Sequence, residues 1–230
     1  MLFIYFPIIL ISILGYGSFV STKIIKFNKS NLGHQGIIGI FSLLLISYIS
    51  TQFIAHGIIF NFLVLLIGLF LFLKNVKKMN ITNKSFKLLF LIFFISLIFI
   101  LVGKNHDDFF YYHFSYTISL IEYKKILGLG LLNHGFRNPS SIFYLNSLFY
   151  LPHIKYFLIN SGAVFIMGFS NLILIDKIRY QLKIKKYSFI LFLSILSFVY
   201  INTAFYRIAE HGTDRSALIL IFILVITYME

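Results

Sequence analysis

The sequence predicts an all-α, polytopic transmembrane bundle of about seven helices, with interfacial helices in one long outer loop. Three observations predict it. Hydrophobic residues make up 59% of the chain and charged residues 12%, against about 45–50% and about 25% in a soluble domain, and mean hydropathy is +0.91. Apolar runs recur at the scale of about 20 residues that a hydrocarbon core of about 30 Å demands of a helix. The 20 Lys and Arg residues, set against 7 Asp and Glu, gather in the short linkers between those runs, as membrane topology requires.

The elements follow in order. Leu2 to Val20 is the first span; lysines follow it at Lys23, Lys26 and Lys29 rather than preceding it, unlike a cleavable signal peptide. Ile37 to Ala55 and Ile58 to Leu73 are the second and third, joined by a tight "AHG" turn. A linker holding five lysines, Lys74 to Lys87, leads into the span Lys87 to Val102. The remaining spans are Tyr156 to Ile175, Tyr187 to Phe205 and Ser216 to Met229. The chain thus divides into an N-terminal set of three spans, residues 1–86, and a module, residues 87–230, that carries the loop 103–155.

The net charge of +13 reports topology rather than nucleic-acid binding, since no basic stripe with interleaved aromatics occurs outside the linkers. The basic linkers at Lys74 to Lys87 and Lys177 to Lys186 are expected on the cytoplasmic side. Alternation then places the 103–155 loop and "YRIAEHGTDRS" outside, together with five of the seven acids: Asp107, Asp108, Glu122, Glu210 and Asp214. The absence of cysteine removes disulfides, thiolate metal sites and a cysteine nucleophile. A Gly-rich phosphate loop, H-E-x-x-H and a nucleophile elbow are missing too, which excludes the familiar routes to ATP hydrolysis, zinc proteolysis and serine hydrolysis.

The outer loop is far longer than the usual connection of about 4–6 residues and too apolar to be solvated. Phe109 to Leu127 is aromatic and free of Pro and Gly, and Pro139 to Leu151 opens on a proline suited to a first helical position. Two helices lying along the outer membrane surface are expected, with a Gly- and Pro-rich turn between them that carries Arg137.

"HDDFFYYH" directly after a span, "GLLNHGFRNPSSIFYLNSLF" across the loop and "YRIAEHGTDRSALILIFIL" leading into a later span resemble the membrane glycosyltransferases of the GT-C clan. Their first long outer loop begins with one or two acids and runs into helices on the membrane. The same stretches are similar to a group of bacterial polytopic membrane proteins encoded among surface-polysaccharide genes. The resemblance covers roughly Leu88 to Leu224 and is silent for the first three spans. It implies a multi-pass protein of the bacterial inner membrane. It further implies transfer of a sugar from a polyprenyl-phosphate donor to a glycan or lipid acceptor in cell-envelope or surface-polysaccharide assembly. GT-C enzymes generally carry further helices that complete the donor groove. The last apolar run here is short and stops at Glu230, which points to an incomplete copy of a longer protein.

Such a transfer needs a carboxylate to take the acceptor's proton, a cation for the leaving phosphate and an interfacial slot for lipid. Asp108 is the candidate base and Asp107 its partner or a ligand to a divalent metal, because adjacent carboxylates repel and so take up a proton more readily. The alternative for either is a helix cap. In a helix Asp107 shares a face with Tyr111 and Asp108 with Tyr112, while His113 turns elsewhere. Tyr111 and His113 are candidate sugar or phosphate contacts, or else interfacial anchors. Arg137, with His134 and Asn138, is the candidate phosphate clamp, since guanidinium grips phosphate in a fork; a plain headgroup contact is the alternative. Glu210, Asp214 and Arg215, near Arg207 and His211, form a second candidate cluster, equally explained by ion pairs at the membrane edge. Asn61, Asn160 and Asn171 are expected to make bonds between helices. A transporter or flippase of lipid-linked glycan, which should place charge midway along its spans, and a non-catalytic component of a polysaccharide assembly complex are the rival functions.

Overall fold

The computed structural model describes residues 1–26, 31–79, 82–101, 107–185, 187–208 and 212–229. Among them lie ten α-helices: α1 Leu2–Phe19, α2 Leu32–Ser50, α3 Ile58–Asn75, α4 Asn83–Leu101, α5 Phe114–Glu122, α6 Leu129–Leu132, α7 Ser141–Ser147, α8 Ser161–Lys183, α9 Phe189–Ala204 and α10 Gly212–Tyr228. All seven expected spans coincide with helix, and five are long and apolar enough to cross a membrane: α1 with its π-helical extension to Ile24, α2, α3, α4 and α8. This is a helical membrane protein. The other two, α9 with 16 residues and α10 with 17, reach only about 24–26 Å at 1.5 Å per residue.

Helix boundaries depart from hydropathy where side chains override it. α2 starts five residues early because Asn31 caps it, its side chain accepting from the His34 amide at 2.9 Å. It ends at Ser50, and the still apolar Phe53 and Ile54 lie in the following turn. α8 runs through Asp176, Lys177 and Arg179 to Lys183, well past its apolar part.

Close backbone contact sets the first three helices. A Cβ at Gly15 would overlap the Gly68 carbonyl, and one at Gly17 or Gly39 would overlap the facing carbonyl of Gln35 or Ile13. α1 therefore lies backbone to backbone between α2 and α3, the small-residue packing that membrane helices use in place of a hydrophobic drive. Tyr16 and Ser12 of α1 donate to the Val64 and Leu65 carbonyls of α3 at 2.8 and 3.2 Å. α8 is the central helix: its first fourteen residues, Ser161 to Leu174, are all buried. Phe169 of α8 seats against Gly36 of α2, and Phe93 of α4 against Gly168. Asn171 of α8 and Asn202 of α9 exchange two hydrogen bonds of 3.0 Å, the bond between helices expected for Asn171. One continuous core, from Phe6 to Ile226, joins the N-terminal helices to the rest.

The long loop is a folded cap on one end of this bundle. α5 turns Tyr116, Thr117, Leu120 and Ile121 inward, an amphipathic helix as expected. Its chain leaves the helix at Tyr123, short of the expected Leu127. α7 is shorter than Pro139 to Leu151, is capped by Ser140 rather than opened by proline, and has every residue from Ile142 to Phe149 buried. It packs inside the bundle end against α2 and α8, not along an open surface.

The turn between α2 and α3, read as a plain "AHG" connection, fixes this cap. The His56 amide donates to the Leu120 carbonyl at 2.8 Å, and the Lys125 amide to the Thr51 carbonyl at 2.7 Å. The His56 ring, fully buried, lies 2.7 Å from both Ser50 Oγ and Ser147 Oγ. Ser147 spends its own proton on the Tyr144 carbonyl at 2.8 Å. The network therefore assigns Nδ1–H as donor to Ser147 and Nε2 as acceptor from Ser50. Asn61, expected to bond to another helix, reaches α7: its Nδ2 lies 2.8 Å from the carbonyl of Ser147, the last residue of that helix, and 2.7 and 2.9 Å from those of His56 and Tyr150.

Candidate functional site

The candidate acids stand at the start of the cap. Asp107 and Asp108 are helical and lead into a π-helical turn, Phe109–His113, that continues as α5. A π turn is rare, favours functional sites, and re-aims the residues it carries. Here Phe110 and Tyr111 stay exposed while His113 turns inward and is buried. Asp108 itself has helical φ and ψ, −64° and −21°, and makes no side-chain capping bond to this turn. The His113 ring lies edge-on to Tyr112 at 4.2 Å and against Phe143 of α7 at 5.0 Å.

The second candidate cluster comes to the same place. Partial burial, then the negative charges of Asp108 and Asp214, push the Tyr112 hydroxyl above its ordinary value of 10.0. Two acids more than 100 positions apart thus act on one phenol. Beside them a narrow cleft is walled by Phe109 and His113 of the π turn, Thr117 of α5, Asn146 of α7, Asn160 and Thr213. Thr213 belongs to the first turn of α10, so this helix start closes the cleft. Asn146 Oδ1 accepts from the Gly162 amide at 3.0 Å, satisfying one of the free donors at the start of α8. Asn160, expected between helices, borders the cleft.

The other candidates are distributed around this centre. Asp107 and Tyr111 are exposed on the outer side of the turn. The segment with His134 packs on it: Asn133 donates to the Tyr111 carbonyl at 3.1 Å, and Gly135 fits against the Tyr112 side chain with no room for a Cβ. His134 and Asn138 are exposed. Arg215 follows Asp214 and donates to the Arg207 carbonyl at 2.9 Å. Glu210 and His211 lie outside the described residues. Arg137 is not in the cleft; it lines a separate groove with Lys125, Tyr116 and Tyr144. Among the described residues no group of three or more His, Asp or Glu side chains is placed to hold a metal ion.

The family model described as Domain of unknown function (DUF8201) matches residues 1–230, the whole sequence. The chain belongs to the DUF8201 family. Neither a curated protein nor a solved structure matches it. In this DUF8201 chain the two acid clusters are legible in the sequence but their proximity is not, and His56 carries no signal beyond a histidine between two long apolar runs.

Proposed function

We propose that this protein is a membrane glycosyltransferase that moves a sugar from a polyprenyl-phosphate donor to a hydroxyl acceptor at the outer face of a bacterial inner membrane, in envelope or surface-polysaccharide assembly. The observation that supports it is the convergence of Asp108 and Asp214 on Tyr112 beside a cleft lined by His113, Asn146, Asn160 and Thr213. Amides and hydroxyls of this kind suit sugar hydroxyls, and they sit at the end of a bundle whose spans face lipid.

In this reading Asp108 accepts the acceptor hydroxyl's proton as that oxygen bonds to the sugar's anomeric carbon. The bond from that carbon to the donor phosphate breaks, and its electron pair leaves with the polyprenyl phosphate. Arg215, at the start of α10, offsets the negative charge that develops there. Tyr112, protonated at neutral pH as an ordinary phenol is, donates to the sugar.

The test uses the protein reconstituted in lipid vesicles with a polyprenyl-phosphate sugar, reading release of polyprenyl phosphate. Asp108→Asn should insert and fold normally while transfer falls at least about a hundredfold, the usual range for a lost general base. Near-normal transfer by both Asp108→Asn and Asp214→Asn would remove the chemical basis of the assignment.

A further inference from the structure

The groove that holds Arg137 shares no lining residue with the acid cleft. It is open, about 470 Å³ in volume, and runs between the 125–139 segment and the buried Tyr116 and Tyr144. Its lining includes two cations, Lys125 and Arg137, and no acid. The Arg137 stem packs on Gly130, where a Cβ would come within 3.0 Å of Cγ, and only its Nε makes a bond, a long one of 3.4 Å to the Gly130 carbonyl. Its two terminal nitrogens and the Lys125 ammonium have no hydrogen-bond partner among the described residues. On the floor the Tyr116 and Tyr144 hydroxyls bond each other at 2.9 Å. That bond uses one proton, so the other hydroxyl keeps a proton to donate.

The rim is apolar. Leu127, Leu131 and Leu132 are 85%, 90% and 83% exposed, beside the positive φ of 85° that Gly128 supplies for the turn. Three leucines projecting together would be a costly surface in water, but at the end of a transmembrane bundle they match the acyl region of a bilayer. Cations at the head of the groove and leucines at its edge complement a molecule with a phosphate and a hydrocarbon tail. We propose that this groove is a docking site for an anionic bilayer phospholipid. Arg137 grips the phosphate in a fork, Lys125 adds a second positive charge, a tyrosine hydroxyl donates to a phosphate oxygen, and the acyl chains lie along Leu127, Leu131 and Leu132. The bound lipid tethers the 123–139 segment to the membrane. The proposal rests on the membrane assignment and not on sugar transfer, because the lipid sits apart from Asp108 and Asp214.

The experiment places the purified protein in phosphatidylcholine nanodiscs containing a small fraction of phosphatidylglycerol and counts, by native mass spectrometry after release, the phosphatidylglycerol retained. Wild type and Lys183→Gln, a change at an exposed lysine on the opposite end, should retain it equally. Arg137→Gln with Lys125→Gln should lower retention about tenfold, and Arg137→Lys should fall between, because it keeps the charge and loses the fork. All three substituted residues are outside the core, so unfolding temperatures should match and a drop in retention will not reflect misfolding. Equal retention by the double variant overturns the proposal. So does a variant that loses only an added polyprenyl phosphate while keeping phosphatidylglycerol, which would make the groove part of a donor site.

Discussion

The imidazole Nδ1 of His56 lies 2.7 Å from the Ser147 hydroxyl, joining the turn between α2 and α3 to a helix 91 positions later. With the three carbonyls gathered by Asn61, this bond holds the cap on the bundle and so fixes where the cleft lies. Buried polar groups that lose a partner cost about 1–3 kcal/mol each. Asn61→Ala takes the side-chain donor from the carbonyls of His56, Ser147 and Tyr150, and His56→Ala takes the ring partner from Ser50 and Ser147, which keep their bonds to the Ser47 and Tyr144 carbonyls. Each substitution should lower stability by at least about 2 kcal/mol, measured by thermal unfolding in detergent. Cleavage by protease within residues 123–139 should quicken in both variants, whereas a similar loss without faster cleavage would detach these residues from the cap.

The same histidine makes stability depend on pH. Burial pushes the His56 ring down from 6.5 to about 4. The groups facing it are the hydroxyls of Ser50 and Ser147 and the ring of Phe60 at 5.1 Å, none of which titrates in this range. The folded state therefore keeps the ring neutral while the unfolded chain takes up a proton below 6.5. The sign follows: this contribution is complete above about pH 6.5 and is lost as pH falls toward 4, by at most about 1.4 kcal/mol per pH unit. Comparing wild type with His56→Asn removes the background from carboxylates. The difference in unfolding free energy between the two should shrink from pH 7 to pH 4; a constant difference would mean that the ring is not buried as described.

Helix contact in the first three spans is a matter of backbone approach. Because a Cβ at Gly15 or Gly39 would overlap a facing carbonyl, a side chain there must push α1 away from α3 or α2. Gly15→Val should break the Tyr16 and Ser12 bonds to α3 and cost more than about 3 kcal/mol, the high end for single substitutions. Gly57→Ala, where added bulk meets nothing within 4 Å, is the control and should leave the unfolding temperature within a few degrees of wild type.

Much of the fold was legible because depth in a bilayer is a property of composition. The runs beginning at Leu2 and Ile58 needed only length and hydropathy and nearly match their helices, while the run from Lys87 finds α4 but misses its polar first turn from Asn83. The α2 boundary was not legible, since Phe53 and Ile54 are as apolar as a span and are excluded from the helix by the bonds of Thr51 and His56. The burial of α7 was hidden for a related reason. An apolar segment near a membrane end reads alike whether it lies on the surface or plugs the bundle, and only the partners of Asn146 and Ser147 decide it. At the site, the carboxylates announced themselves by scarcity. Their meeting at Tyr112 depends on the start of α10 reaching the π turn, a tertiary relationship that no local spacing encodes.

That meeting can be measured without any substrate. Negative charge beside a phenol disfavours its ionised form, so Asp108 and Asp214 each raise Tyr112, after the effect of partial burial. Replacing either by asparagine keeps the shape and removes one charge, and the phenol should then ionise at lower pH. Asp107, exposed on the outer side of the turn and not among the charges acting on this phenol, supplies the control. The readout is a fluorine label on Tyr112, introduced as 3-fluorotyrosine and followed by nuclear magnetic resonance across alkaline pH in detergent. Asp108→Asn and Asp214→Asn should both shift the titration downward, with Asp108→Asn shifting it more because its charge acts more strongly. Asp107→Asn should leave it nearly in place. If Asp214→Asn behaves like Asp107→Asn, α10 does not bring its acid to Tyr112, and the two clusters that the proposed transfer relies on are separate.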